Sequence, residues 1–204
     1  MRKIVLFLLV FLSYSVNAQM VPSFLGVYDK KSNNASDSWD TSNKGSYISL
    51  SNNNLSATST YSTPNHSWNS VYGTEAVSSG TKTWELTVDT YYNSGGNFWE
   101  LIIGVAYDRS KGNTWFPNGC VGWCYISEIG KKNNSSGSCG QQTDYGATYG
   151  QGDVIKVSLN MSNGELRFYK NGTDQGVAYT VDTSKTWYLA CSIGNNGTSV
   201  SITG

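Results

Sequence analysis

Apolar and polar residues alternate most cleanly over Gly152–Gly172, GDVIKVSLNMSNGELRFYKNG. Ile155, Val157 and Leu159 alternate with Lys156, Ser158 and Asn160, the period-two pattern of a half-buried strand. Leu166 and Phe168 alternate with Glu165, Arg167 and Tyr169 in the same way. Ser162-Asn163-Gly164 between the two runs tolerates positive φ. Asn171-Gly172 closes the second run with the residue pair that a type I′ turn requires. The stretch therefore predicts a β-hairpin with an apolar face and a further turn at its far end.

The rest of the chain reads as cover for that face. Ser46–Leu50 and Leu55–Thr60 are predicted strands around a Ser51–Asn54 turn. Ser70–Ala76 and Lys82–Asp89 follow, the latter with Trp84, Leu86 and Val88 on one face. Phe98–Ala106 is apolar except at Glu100 and Gly104, which predicts a central strand covered on both faces. Val121–Ser127 and the segment around Ser138–Tyr145 are expected to pair around a Gly130–Ser136 turn. Trp187–Ile193 and Ser199–Ile202, joined by Gly194–Gly197, complete the set. Val21–Lys44 is polar and irregular, anchored by Phe24, Leu25, Val27 and Trp39. No helical period appears after the N-terminus. The predicted class is all-β, an antiparallel two-sheet β-sandwich.

Several of these segments, in order, carry a family resemblance. They are Asn69-Ser70-Val71, Gly80-Thr81-Lys82-Thr83-Trp84-Glu85-Leu86, Ile103-Gly104-Val105-Ala106, Gly122-Trp123-Cys124-Tyr125, and the GDVI…NGELRFYKNG hairpin followed by Gly176-Val177-Ala178-Tyr179. From about Phe24 to Thr203 the chain resembles a SPRY domain, with Trp39-Asp40 similar to its lead-in segment. The resemblance implies a concanavalin-like jelly-roll sandwich. It also implies a non-catalytic recognition module whose loops at one end bind a protein or peptide.

The first residues change the picture of where the protein works. Arg2-Lys3 precede a short apolar run, Ile4–Leu12, and Val16-Asn17-Ala18 fits a signal-peptidase site. Residues 1–18 are expected to be a signal peptide and residues 19–204 a single domain, secreted or exported to the extracellular space, cell surface or periplasm. The apolar run falls short of the ~20 residues of a spanning helix, so no membrane span is expected in the mature chain. Most SPRY domains sit inside larger intracellular proteins. Their intracellular partners are therefore not transferred to this chain.

Composition narrows the partners. Lys plus Arg and Asp plus Glu are 14 each, giving zero net charge, and charged residues are only 14%. No basic stripe suits a phosphate backbone, so no nucleic-acid partner is expected. Four cysteines, Cys120, Cys124, Cys139 and Cys191, in an exported chain favour disulfides over metal. A turn near Gly130 would place Cys120 opposite Cys139 and leave Cys124 to pair with Cys191. The alternative is that Cys191 is a free buried thiol. Zinc is disfavoured because the single histidine, His66, is remote from them and no second close cysteine pair exists.

Catalytic signatures are absent from the sequence. There is no nucleophile elbow, P-loop or H-E-x-x-H, and no cofactor is expected. Glu85 and Glu100 are the candidate pair for a glycoside hydrolase, the least favoured class, and outward-facing strand residues is the preferred reading. Asp37, Asp40 and Asp153 are candidates for calcium, although no EF-hand loop is present, and Asp153 is better read as a backbone-bonding residue at a strand start. Eight asparagines, including Asn171, stand in N-x-[ST] sequons, a pattern that an Asn-rich chain produces by chance.

Candidate binding residues lie in connections. Tyr107–Gly119 carries Tyr107, Arg109, Trp115 and Phe116, types enriched at interfaces. Tyr91 and Tyr92, with Trp99, flank the preceding connection. The expectation is an exposed ligand-binding patch of Tyr107, Arg109, Trp115 and Phe116 with Tyr91 and Tyr92. The alternative is that Trp115 and Phe116 fold back as a cap. A carbohydrate-binding module using exposed Trp and Tyr is the competing class, so the ligand is a protein or peptide, or alternatively a glycan.

Overall fold

A computed structural model describes residues 37–62, 67–92, 100–134 and 141–204. Met1–Ala18, expected to be a signal peptide, the expected anchors Phe24, Leu25 and Val27, and His66, Phe98, Trp99 and Cys139 lie outside the described residues. The described strands run β1 (Trp39–Lys44), β2 (Ile48–Ser51), β3 (Ser56–Ser59), β4 (Asn69–Gly73), β5 (Thr81–Thr90), β6 (Leu101–Ala106) and β7 (Gly122–Ile126). They continue with β8 (Lys131–Asn134), β9 (Gln141–Asp144), β10 (Val154–Asn160), β11 (Glu165–Lys170), β12 (Thr173–Thr180), β13 (Tyr188–Ile193) and β14 (Ser199–Ile202). No helix appears among the described residues.

The strands form two antiparallel sheets of seven. The first has the order β1-β4-β13-β6-β7-β8-β9 and the second β12-β11-β10-β5-β14-β3-β2. The hairpin expected from sequence is β10–β11, with Val157 opposite Phe168 and Leu159 opposite Leu166. Its two turns use the left-handed region at Gly164 (φ 75°) and at Asn171 and Gly172 (φ 50° and 79°).

Period-two alternation explains the core. Trp84, Leu86 and Val88 of β5 join Ile155, Val157, Leu159, Leu166 and Phe168 on the inner face of the second sheet. Leu101, Ile103, Val105, Leu189, Cys191 and Ile193 meet them from the first sheet. Each such fully buried aliphatic or aromatic side chain stabilises by about 1.5–3 kcal/mol relative to exposure. The central-strand reading of β6 holds, since all six residues are buried. Its alternate side chains, Ile102 and Ala106, enter a second apolar cluster on the outer face of the first sheet with Tyr72, Phe116, Cys124, Ile126 and Ala190.

Three strands lie outside the expected set: β1, β8 and β12, the last being the run that leaves the Asn171-Gly172 turn to pair with β11. β1 has little alternating apolar signal in WDTSNK, and only Trp39 is fully buried. Lys131–Asn134, expected as a turn, is β8 and pairs with β7 on one side and β9 on the other. Polar KKNN forms a strand because two neighbours complete its backbone ladders, and propensity yields to pairing. The connection from β7 is instead the tight turn Ser127–Gly130. A direct β7–β9 hairpin register, the basis for placing Cys120 opposite Cys139, is thereby replaced.

The Cys124–Cys191 pairing is corrected. Both are free and buried. Cys124 lies opposite Gly104 and Cys191 opposite Ile103 on the two flanks of β6. Consecutive residues of β6 point to opposite faces, so the two sulfurs lie on opposite sides of the sheet and cannot meet.

Candidate functional site

The connection from β6 to β7, residues 107–121, does not project from the rim. It folds as a strap across the outer face of the first sheet. The Gly112 carbonyl accepts from the Ser70 amide at 2.7 Å. The Ser70 hydroxyl donates to the Thr114 carbonyl. The Ser192 hydroxyl lies 2.7 Å from that of Ser70 and accepts from the Phe116 amide at 2.9 Å. Two serines on neighbouring strands thus fasten the strap, because Ser70 and Ser192 stand opposite each other on one face.

Phe116 is fully buried beneath this strap, in the outer cluster. Its ring lies on Gly122, where an added Cβ would fall 2.5 Å from Cδ2. The expectation that Phe116 is exposed is therefore corrected, and it acts as the cap. Trp115 is half-buried against the same cluster. Tyr107 turns inward, its hydroxyl donating to the Cys120 carbonyl at 2.9 Å and its ring edge-on to Trp187 at 5.3 Å.

Tyr91 and Tyr92 follow β5, at the end where β6 begins, and Tyr107 follows the other end of β6. The six residues therefore do not form one patch. Tyr91 is half-buried, with its hydroxyl 2.9 Å from that of Ser127, and burial pushes its pKa up. Tyr92 is exposed at 58%.

Arg109, partly buried, borders an open groove. β1 loses register between Trp39 and Lys44. The cause is local: one Asp40 carboxylate oxygen accepts from the Ser42 and Asn43 amides at 2.8 and 3.3 Å, and the other from the Asn43 side chain at 2.8 Å. Such an Asx turn gives the backbone an alternative to the ladder. The chain rejoins β4 at Gly45, whose amide donates to the Ser70 carbonyl at 2.7 Å.

Between this bulge and the strap lies a groove of about 410 Å³, lined by Ser42, Asn43, Lys44 and residues 109–114. Its size falls within the ~300–1,000 Å³ of small-ligand sites. The two walls approach closely at Gly45 and Gly112, where a Cβ on Gly45 would come 2.3 Å from the Gly112 carbonyl oxygen.

Electrostatics fix the groove's geometry. Arg109 Nη1 donates to Asp40 at 2.7 Å, and the guanidinium lies 4.1 Å over the Tyr188 ring. Burial works to raise the Asp40 pKa, but the bonds from Ser42 and Asn43 and the charge of Arg109 outweigh it. The net effect holds its carboxyl below the usual range. Lys44 Nζ donates to the Ile48 carbonyl at 2.8 Å, and the Asn113 side chain accepts from the Ser46 amide at 2.8 Å. Lys44, Asn43, Lys111 and Asn113 were not candidates from sequence. The D-T-S-N run at Asp40 carried the Asx-turn signal. Tyr47, exposed at 47%, alternates with buried Ile48 and was legible as outward-facing.

The other chemical candidates resolve as structural. Asp37 is buried and accepts from the amides of Ser38, Thr74 and Glu75, the Thr74 hydroxyl and Trp84 Nε1. Such a donor-saturated carboxylate does not fit a calcium ligand. Asp153 accepts from the Gly150 amide at 2.9 Å and from the Asn171 side chain at 2.7 Å, and Asn171 in turn accepts from the Val154 amide at 2.8 Å. Glu85 pairs with Lys156 on the second sheet, whereas Glu100 is fully buried at the start of β6 in the first. They do not face each other across a cleft. No group of three or more metal-ligating side chains is found among the described residues.

The SPRY domain family profile matches residues 81–204. The chain belongs to the SPRY domain family. Its fold is that of solved SPRY structures. The SPRY domain of human HERC1 is 20% identical, with a TM-score of 0.62, covering 80% of this chain and 96% of that one. The PSpry domain of TRIM65 is 13% identical, with a TM-score of 0.62, covering 83% and 92%. Stonustoxin is 19% identical, with a TM-score of 0.61, covering 82% of this chain and 27% of that one. At these identities the likeness shows the fold. No curated protein sequence matches the chain. SPRY domains are generally protein-interaction modules, and no helix among the described residues is long and apolar enough to cross a membrane.

Proposed function

We propose that the chain is an exported, non-catalytic recognition module that binds a protein or peptide ligand in the groove between β1 and the strap. The observation that supports this most is the fixed pose of Arg109, held by Asp40 and stacked on Tyr188 at the groove wall. A pre-set guanidinium loses little freedom when a ligand arrives. The sandwich beneath supplies rigidity, and the connections supply variation.

A glycan ligand is the second reading, supported by the exposed tyrosines Tyr47 and Tyr92. One pair of measurements separates the two. The chain from Gln19 and its Ser110→Trp variant, which fills the groove, are compared in partner capture and on a glycan array. Protein partners lost on Ser110→Trp support the proposal. Partners retained by the variant, or sugar binding alone, overturn it. Export is tested by sequencing the N-terminus of the protein recovered outside the cell, with Gln19 expected first.

A further inference from the structure

The chain has no net charge, yet its groove is one-signed. Lys44, Arg109 and Lys111 line it, with Ser42, Asn43, Ser110, Gly112, Asn113 and Thr114, and no carboxylate is among the lining residues. The acidic side chains that bond or adjoin its lining residues, Asp40 and Asp108, are already engaged. Asp40 is spent on the Asx turn and on Arg109. Asp108 accepts from the Ser110 amide and hydroxyl at 2.8 and 3.0 Å.

The cations differ in what they have left to give. Arg109 uses Nη1 on Asp40, and its Nε and Nη2 hydrogens bond no described residue. Lys44 has one bond, to the Ile48 carbonyl, leaving two ammonium hydrogens. Among the described residues no hydrogen bond or ion pair engages the Lys111 ammonium. Unspent donors in a recess attract an oxyanion, and a concave site strengthens the attraction.

We infer that the groove takes a carboxylate-bearing segment of an extended peptide, an Asp or Glu side chain seated between Arg109 and Lys111. This rests on the proposed function and names the chemistry of its ligand. A peptide fits better than an acidic glycan, because the lining has no aromatic face on which a sugar ring could stack. Tyr188, behind the groove wall, is covered by the Arg109 guanidinium. The side chains of Asn43 and Asn113 and the hydroxyls of Ser42, Ser110 and Thr114 suit the amides of a peptide backbone.

The test pans a displayed library of random dodecapeptides on the chain from Gln19, in parallel with an array of sulfated and uronic-acid glycans. Enriched peptides are then titrated against Lys111→Glu, Arg109→Lys and the control Lys156→Glu, on the outer face of the second sheet. The expected result is enrichment of Asp or Glu at one fixed position. Lys111→Glu should weaken binding at least about tenfold, because it places like charges together. Arg109→Lys should weaken it too, since lysine cannot keep both the ion pair and the flat stack. Lys156→Glu should change affinity less than about twofold, and added salt should weaken wild-type binding. Neutral or basic peptides, indifferent to Lys111→Glu but blocked by Ser110→Trp, would overturn this inference and leave the groove as the recognition site. Acidic peptides weakened equally by Lys156→Glu would overturn it as bulk electrostatics. Binding confined to the glycans would overturn both readings.

Discussion

Cys124 and Cys191 flank β6 from opposite faces of the first sheet, each free and buried. We propose that the remaining two, Cys120 and Cys139, form the disulfide. Trp123, Asn134 and Gln141 stand abreast across β7, β8 and β9. Cys120 and Cys139 precede strands that start at that same end. Peptide mapping without reduction should recover a Cys120–Cys139 link, with Cys124 and Cys191 alkylated only after denaturation. Reduction should cost about 2–4 kcal/mol of stability. A Cys124–Cys191 peptide, or rapid alkylation of either in the native protein, would reverse the assignment.

Asp37 gathers five donors from four residues of three separate segments, including the Trp84 indole at 2.9 Å. It ties the segment before β1 to the turn after β4 and to the core tryptophan of β5. The Asp37→Ala substitution leaves buried donors without acceptors, each costing about 1–3 kcal/mol. The expected loss is about 3 kcal/mol or more, read as a lower urea midpoint at unchanged slope. Asp37→Asn keeps one strong acceptor and should lose less. Equal and small losses for both would show that the network adds little.

The sandwich was legible because its buried strands alternate. β5, β10 and β11 each place apolar residues on one face, and period alone fixes which side is inner. The motif order supplied the family. What escaped was polar. β1 and β8 are strands by virtue of neighbours, and WDTSNK and KKNN carry no period. The strap misled for a different reason. An irregular run with Trp115 and Phe116 gives no sign of which surface it will cover. The clue lay elsewhere: Ile102, Ala106, Cys124 and Ile126 make the outer face of β6 and β7 apolar, so something had to lie over it. Arg109 was found by residue type, whereas its groove depends on an Asx turn at Asp40, far away in sequence.

Phe116 and Trp115 are adjacent but differ in what they support. Phe116 is sealed between the strap and Gly122. Phe116→Ala should cost about 3–5 kcal/mol, as expected for an aromatic removed from a packed site. Trp115→Ala, at a half-buried position, should cost less and leave the unfolding slope unchanged. Gly122→Ala should also destabilise, since its Cβ would collide with the Phe116 ring. Comparable losses at both aromatics would mean that Trp115 shares the capping role.

Gly45 and Gly112 bring the two groove walls together. A side chain on Gly45 meets the Gly112 carbonyl at 2.3 Å and Asn69 Oδ1 at 2.6 Å. On Gly112 it meets the Lys44 carbonyl at 2.9 Å. Gly45→Ala should therefore push the strap from β4, breaking the bond from the Ser70 amide to Gly112. Amide exchange at Ser70 would report this directly, rising in the variant while β10 and β11 keep their protection. Exchange that rises everywhere would indicate general destabilisation instead.

Alkaline pH should loosen the fold. Burial raises the Tyr145 pKa to about 12, opposed by the Phe168 amide and by Arg167. Burial raises Tyr72, Tyr91, Tyr125, Tyr149 and Tyr179 as well, and the thiols of Cys124 and Cys191. In the unfolded chain the thiols ionise near 9.0 and the tyrosines near 10.0. Above those values the unfolded state has released protons that the folded state still holds. With more protons bound in the folded state, stability falls as pH rises. The contribution is whole below pH 9.0 and is lost progressively through the thiol and tyrosine ranges towards the folded-state values. Urea midpoints followed from neutrality into strong alkali should decline in that window, and tyrosinate absorbance should appear together with unfolding. A flat midpoint, or tyrosinate appearing while the sheets remain intact, would mean that these hydroxyls ionise in place.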